Sequence, residues 1–230
     1  MKNLELKISE IESAVRSSQI IMPHSQYHKL YWEKVVPLVS NDGLWMEFGV
    51  FRGRSLQKIS SLTNGIVYGL DSFDGLREDW DKDNPRGVYN SGGIIPKGAI
   101  IGDNHSMFDS SETKNTEPWN SNVKLVKGYF EDSLPVFLEQ HLENAAFLHI
   151  DSDLYSSCST IFKYMKDRIV NGTIICFDEL LDYPTYREGE IKAFAEFLLD
   201  TDFHFKPLIY HNIGETYTQA CVQIKNKDRL

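Results

Sequence analysis

The sequence predicts an α/β protein, a mostly parallel sheet with helices on both faces, and three observations predict it. From Leu44 onward, short apolar runs at 44–50, 66–70, 123–126, 145–150 and 173–177 alternate with stretches of helical period at 53–62, 133–142, 155–169 and 187–199. Strands alternating with helices imply parallel strands joined by helical crossovers. The stretch WMEFGVFRGRS, Trp45 to Ser55, reads as a buried strand that stops at a glycine turn and opens into a helix. The tail, at 203–211 and 216–224, reads as two last strands able to pair as an antiparallel hairpin.

Length and composition bound the function. The chain has 230 residues, enough for one sizeable α/β domain and marginal for two. A formal net charge of −9 with no basic run argues against a nucleic-acid surface. Three cysteines, Cys158, Cys176 and Cys221, have no paired spacing, which argues against a disulfide framework and a zinc site. The start, MKNLELKISEIES, is charged and lacks the apolar core of a signal peptide, and no apolar run is long enough to span a bilayer. A cytoplasmic enzyme acting on a small molecule, as a homodimer or higher homo-oligomer, is the expectation.

The elements follow in order. Leu4, Ile8, Ile11 and Val15 fall at helical spacing, Pro23 breaks the pattern, and a second helical stretch covers roughly 27–39. Residues 1–42 are therefore predicted to be accessory helices before the main domain at 43–230. They either cover a sheet edge or contribute to an acceptor lid or dimer contact. Residues 77–122 break the strand–helix rhythm with Gly, Pro, Asn, Ser and Asp, RGVYNSGGIIPKG lying at the centre. A loop this long in a compact domain is predicted to be a substrate lid rather than an inert insertion, mobile until ligands bind.

The glycine turn and the next strand point to a nucleoside cofactor. Gly49 and Gly53 can take backbone angles closed to other residues and allow close approach of a ligand. The helix opening near Gly53 offers free N–H groups to an anion such as a methionine carboxylate. Glu47, two residues before Gly49, could reach the ligand's amino group or merely cap nearby backbone. Asp71, at the tip of the strand 66–70, could accept from both ribose hydroxyls or merely start a turn in DSFDG. The spacing is E-x-G-x-x-x-G rather than G-x-G-x-x-G, which suits a cofactor without phosphates, such as S-adenosylmethionine, and disfavours NAD.

A carboxylate cluster is predicted at the ends of the next strands. Asp151 ends the strand in AFLHIDSDLYSS, and Asp178 and Glu179 end the one in GTIICFDEL. Ligands of open parallel sheets lie outside the carboxyl ends of strands. The nearest lysine and arginine in sequence are Lys163 and Arg187. Three carboxylates there need a compensating cation, and all-oxygen ligation suits Mg²⁺. The bland alternative is that Asp151 or Asp153 caps the helix starting near Tyr155 and that Asp178 bonds loop backbone. His149, on the same strand face as Asp151, and Asp182 are both candidates for the catalytic base, and the sequence does not choose between them. In YREGE, Glu188 and Glu190 are placed at a helix N-terminal turn.

The segments MEFGVFRGRSL, GLDSFDGLREDW, GYFEDSLP, AFLHIDSDLYSS, GTIICFDELLDYP and REGEIKAFAEF together resemble class I S-adenosylmethionine-dependent methyltransferases, nearest the macrocin O-methyltransferase family. The likeness runs from about residue 43 to 200. It implies a Rossmann-like seven-strand sheet with a final antiparallel strand. It also implies O-methylation of a hydroxyl on a small polar acceptor such as a sugar or natural product, in several members with Mg²⁺. Carried onto this chain, it implies cofactor contacts from Glu47, Gly49, Val50, Phe51, Gly53, Ser55, Asp71, Ser72, Phe73, Gly128, Phe130 and Asp151. It implies a metal held by Asp151, Asp178 and Glu179, with Asp151 also catalytic. Glu179 departs from the second aspartate common in metal-dependent members. Metal-independent or N-directed transfer, or an inactive nucleoside-binding subunit, are the alternatives.

Overall fold

A computed structural model describes residues 2–18, 20–22, 29–100, 116–212 and 218–227. The N-terminal region supplies a helix, α1 (Lys2–Arg16), a short strand, β1 (Ile20–Met22), and a helix, α2 (Lys29–Val35). The alternating part follows as β2 (Leu44–Phe48), α3 (Arg54–Ser61) and β3 (Val67–Asp71), then a small antiparallel pair, β4 (Gly98–Ile100) and β5 (Thr116–Pro118). After it come β6 (Val123–Lys127), α4 (Phe130–Gln140), β7 (Ala145–Ile150), α5 (Tyr155–Met165), β8 (Ile174–Leu181), α6 (Glu190–Leu199), β9 (Phe203–Asn212) and β10 (Thr218–Asn226).

The main sheet has the order β1-β9-β10-β8-β7-β2-β3-β6. Only β10 runs against its neighbours, antiparallel to both β8 and β9. This is the predicted fold with eight strands in place of seven. The extra strand is β1, which pairs in parallel with β9 through Ile20 and Ile209. Three residues ahead of a helix carry too short a pattern to be read as a strand.

The sheet separates two apolar layers. Ile8, Ile11 and Val15 of α1 pack with Phe137 of α4, Ile161 of α5 and Phe194 of α6 on one face. Tyr31 and Trp32 of α2 pack with Leu56 and Ile59 of α3 on the other. Each fully buried side chain of this size contributes roughly 1.5–3 kcal/mol. The apolar positions of α1 recur at helical spacing because they form the buried stripe. The strand order reverses between β2 and β7, whose neighbours β3 and β8 lie on opposite sides. That is the switch point at which open α/β sheets bind ligands.

Residues 77–100 and 116–122 are woven into the molecule, and the part of the predicted lid at 101–115 lies outside the described residues. Glu78 accepts a hydrogen bond from Ser156 Oγ at 2.5 Å, Arg77 pairs with Glu131, and Lys127 donates to the Gly93 carbonyl. Among the described residues, no helix is long and apolar enough to cross a membrane.

Candidate active site

Strand β2 delivers Glu47 to the base of the glycine loop, fully buried. Its Oε1 accepts from Ser55 Oγ at 3.0 Å, and its Oε2 lies 3.0 Å from His149 Nδ1. Glu47 therefore ties β2 to α3 and β7 rather than capping backbone. Burial pushes its pKa up, and the contact with His149 pulls it back in part. Gly49 and Gly53 both have positive φ, +92° and +73°. A Cβ at Gly49 would lie 1.7 Å from the Asp151 carbonyl oxygen, and one at Gly53 would lie 2.0 Å from the Trp119 ring. The close approaches these glycines permit are thus made by the chain itself. Trp119, anchored by its indole N–H to the Pro96 carbonyl at 2.9 Å, covers the start of α3.

Asp71 takes the turn-starting role and shapes the loop before it. Its Oδ2 accepts the Val50 and Phe51 N–H groups at 2.8 and 2.7 Å, and its Oδ1 accepts the Phe73 N–H at 2.7 Å. It shapes the loop and starts the turn, holding Phe51 and Phe73 at positive φ. A carboxylate oxygen accepts two hydrogen bonds, so Oδ1 keeps capacity for a ribose hydroxyl. Ser72 Oγ accepts the Asp74 N–H at 3.1 Å. Gly128, at φ +144°, leads into α4, where Phe130 packs edge-on against Phe48.

Strand β8 runs four residues past its last pairing with β7, which joins Ile150 to Phe177. The sequence reading ended this strand at 177. A register shift against β10 sets residues 178–180 opposite the single residue Gln219. Such bulges re-aim side chains beside sites. Asp178 and Glu179 sit in this bulge, both buried. Successive residues on an extended strand point to opposite faces, and the two join different groups: His149, Asp151 and Asp178 form one, and Asp151, Asp153 and Glu179 the other. Within each group the potential ligand atoms lie within 4.8 Å of one another. Asp151, at the end of β7, belongs to both.

Asp153 is not a helix cap. Leu154 occupies the N-cap of α5, with no side-chain cap bond. Asp153 has φ +58° and is half-buried. Burial, then Asp178 and Asp71, raises its pKa to about 7. Glu190 opens α6 as predicted but is fully buried. Burial, then Asp153 and Asp178, raises it to about 8. Burial and the Asp178 charge also raise Asp151 and Glu179 strongly. The sequence reading gave Asp153 and Glu190 only capping or dipole roles. Their signal was the D-x-D of HIDSD and the spacing that returns the chain from β8 to the sheet end.

The cluster also contains a basic side chain, His149. Its Nε2 lies 3.8 Å from Asp178 Oδ1, and Trp32 stacks edge-on to its ring at 4.6 Å. Burial alone would lower its pKa, but Asp178 and Glu47 outweigh that and raise it well above the ordinary value. Gln219 Nε2 also donates to Asp178. Asp182, the other predicted base, sits at φ +71° and accepts from Arg16 at 2.5 Å, Thr218 Oγ1 at 2.5 Å and Tyr210 OH at 3.1 Å. Burial would raise its pKa, but Arg16 and Thr218 bring it below the ordinary value.

Fold and site together define a nucleoside-binding α/β protein with acidic groups at the switch point. The model of the macrocin O-methyltransferase family (TylF) matches residues 33–198, and the chain belongs to that family. It is an S-adenosylmethionine-dependent methyltransferase. No curated protein matches it in sequence. Among solved structures it is similar to CalS11, the calicheamicin methyltransferase, at 20% identity over 95% of this chain and 91% of that one, with a TM-score of 0.58. The O-methyltransferase NovP matches at 17% identity over 97% and 98% of the two chains, TM-score 0.52. An O-methyltransferase from Bacillus cereus in complex with SAH matches at 16% over 99% and 91%, TM-score 0.52. At such identities the likeness shows a shared fold.

Proposed function

We propose that the protein methylates a hydroxyl on a small polar acceptor, such as a sugar or a natural product. The observation that carries this reading is the meeting of two acidic groups on Asp151, whose backbone abuts the cofactor loop at Gly49. CalS11 is described as a TDP-rhamnose 3′-O-methyltransferase, which favours a sugar-type acceptor. Bound S-adenosylmethionine would supply an electrophilic methyl group on sulfur. Glu47, Ser55 and the start of α3 would orient its methionine end, Asp71 its ribose, and residues 72–73, Gly128 and Phe130 its adenosine side.

The buried, partnerless Oε2 atoms of Glu179 and Glu190 and the all-oxygen group Asp151, Asp153 and Glu179 fit a hard divalent cation. Asp151, Asp153 and Glu179 would hold Mg²⁺, which when bound lowers the pKa of a coordinated hydroxyl; Asp178, the third ligand expected from the sequence, belongs to the other group, with His149 and Asp151. His149 holds Glu47 and Asp178 in place. A metal-independent reaction is the second reading, favoured by the basic His149 side chain, whose Nε2 lies 3.8 Å from Asp178 Oδ1.

The test is turnover with labelled S-adenosylmethionine and a panel of nucleoside-diphosphate sugars and glycosides, with products located by mass spectrometry. An O-methyl product that vanishes in EDTA and returns with Mg²⁺ supports the first reading, with Glu179→Gln mimicking chelation. Full activity in EDTA establishes the second, and N-methyl products alone reject both.

A further inference from the structure

The turn between β8 and α6 is gripped by the N-terminal helix. Arg16, in the last turn of α1, pairs with Asp182 and also donates to Tyr210 OH at 3.4 Å. Glu12 accepts from Tyr186 OH at 2.8 Å and from Arg187 at 2.6 Å. Arg187 reaches Glu5 at 3.1 Å and Ser9 at 3.3 Å. Residues across the whole length of α1 thus bind one short segment, 182–188. That segment connects Glu179 in the β8 bulge to Glu190 at the start of α6, and it carries Tyr183, whose ring packs edge-on against Trp80 of the 77–122 region. Asp182 holds a left-handed backbone at φ +71°, an unfavourable conformation for a residue with a side chain, and donors from α1, β9 and β10 meet on its carboxylate.

We propose that α1 is a latch: through Arg16 and Glu12 it fixes the 182–188 turn and thereby positions Glu179 and Glu190 at its two ends, so that seating of the helix sets the affinity of the acceptor side for a divalent cation. This rests on the reading that Asp151, Asp153 and Glu179 hold such a cation. The latch touches none of the residues assigned to the cofactor, so its effect is confined to one side of the site. Arg16 and Glu12 are positioning residues, not catalytic ones.

The test compares the full-length protein with Arg16→Ala, Arg16→Lys and Asp182→Asn; Asn tolerates the left-handed backbone while losing the charge. Two measurements are made: Mn²⁺ and SAH titration by calorimetry, and amide exchange at Tyr186, Glu188 and Gly189, whose N–H groups close this turn. The latch predicts faster exchange and a roughly 5- to 20-fold weaker Mn²⁺ affinity in Arg16→Ala and in Asp182→Asn, no further loss when the two are combined, and SAH affinity unchanged within about twofold. Arg16→Lys should recover most of the loss. Unchanged exchange overturns the latch whether or not Mn²⁺ binds, and so does faster exchange with full Mn²⁺ affinity. If wild-type protein binds no Mn²⁺ while exchange rises in Arg16→Ala, the grip of α1 on the turn is supported and the cation reading is what fails.

Discussion

His149 Nδ1 lies 3.0 Å from Glu47 Oε2, and both side chains are closed to solvent. The other ring nitrogen faces Asp178. A single imidazole thus joins the strand that opens the cofactor loop to the strand that carries the acidic bulge. Removing it strands two buried carboxylates, and breaking a buried pair costs about 3–5 kcal/mol. Thermal melts of His149→Ala should show a loss of this order, and Glu47→Gln added to that variant should restore part of it. Equal stability of His149→Ala and wild type would show that the ring is neutral.

Stability should depend on pH in an unusual direction. Asp153 and Glu190 have their pKa values raised from 3.8 and 4.5 to about 7 and about 8. An acid raised on folding keeps its proton in the folded chain over a range where the unfolded chain has released it, so stability falls as pH rises through that range. His149, raised on folding, adds stability that is full below its unfolded value and is lost as pH passes its folded one. Both effects weaken the metal-free protein as pH rises from about 4 to about 8, by more than ~3 kcal/mol in total. Denaturant unfolding across that range, with EDTA present, measures it. Added Mg²⁺ should shrink the loss at the alkaline end.

Asp71→Ala should weaken SAH binding by about 1.5–3 kcal/mol, the usual range for hydrogen bonds to a charged group. Because Asp71 also accepts from Val50, Phe51 and Phe73, the variant should lose amide protection in the 50–53 turn. Calorimetry and hydrogen exchange separate the two effects. Loss of protection with undiminished affinity would leave Asp71 as a loop-shaping residue alone.

Gly53→Ala should be destabilising by at least ~1–2 kcal/mol from its left-handed backbone, and by more from the Trp119 ring 2.0 Å from the new Cβ. Combining it with Trp119→Ala should relieve the steric part and leave the backbone part. Chemical denaturation of the two single variants and the double variant gives that coupling directly. Simple additivity would mean that the ring moves aside without cost.

The fold was legible because its signals are local. Alternating apolar runs marked β2, β3, β6, β7 and β8, and Glu47, Gly49, Gly53 and Asp71 fell where a strand–turn–helix–strand unit puts them. What escaped reading was set by contacts distant in sequence. The bulge at Asp178 exists only because β10 offers Gln219 alone to three residues of β8. The pKa of His149 is raised by Glu47 and Asp178, which lie on other strands. Asp182 resembled a base until Arg16, 166 positions away, was seen to hold it. Asp153 and Glu190 resembled routine helix-end residues, since burial is not written in a dipeptide.

The overhang of β8 beyond β7 has an evolutionary corollary. The projecting residues 178–181 lean on β10 and on the latch of α1, while Glu47 and Asp71 are rooted in β2 and β3 on the far side of β7. Mutations in the hairpin strands or the N-terminal helix can therefore reshape the acidic flank while the glycine-turn flank is inherited intact. A lineage built this way can diversify its chemistry one flank at a time.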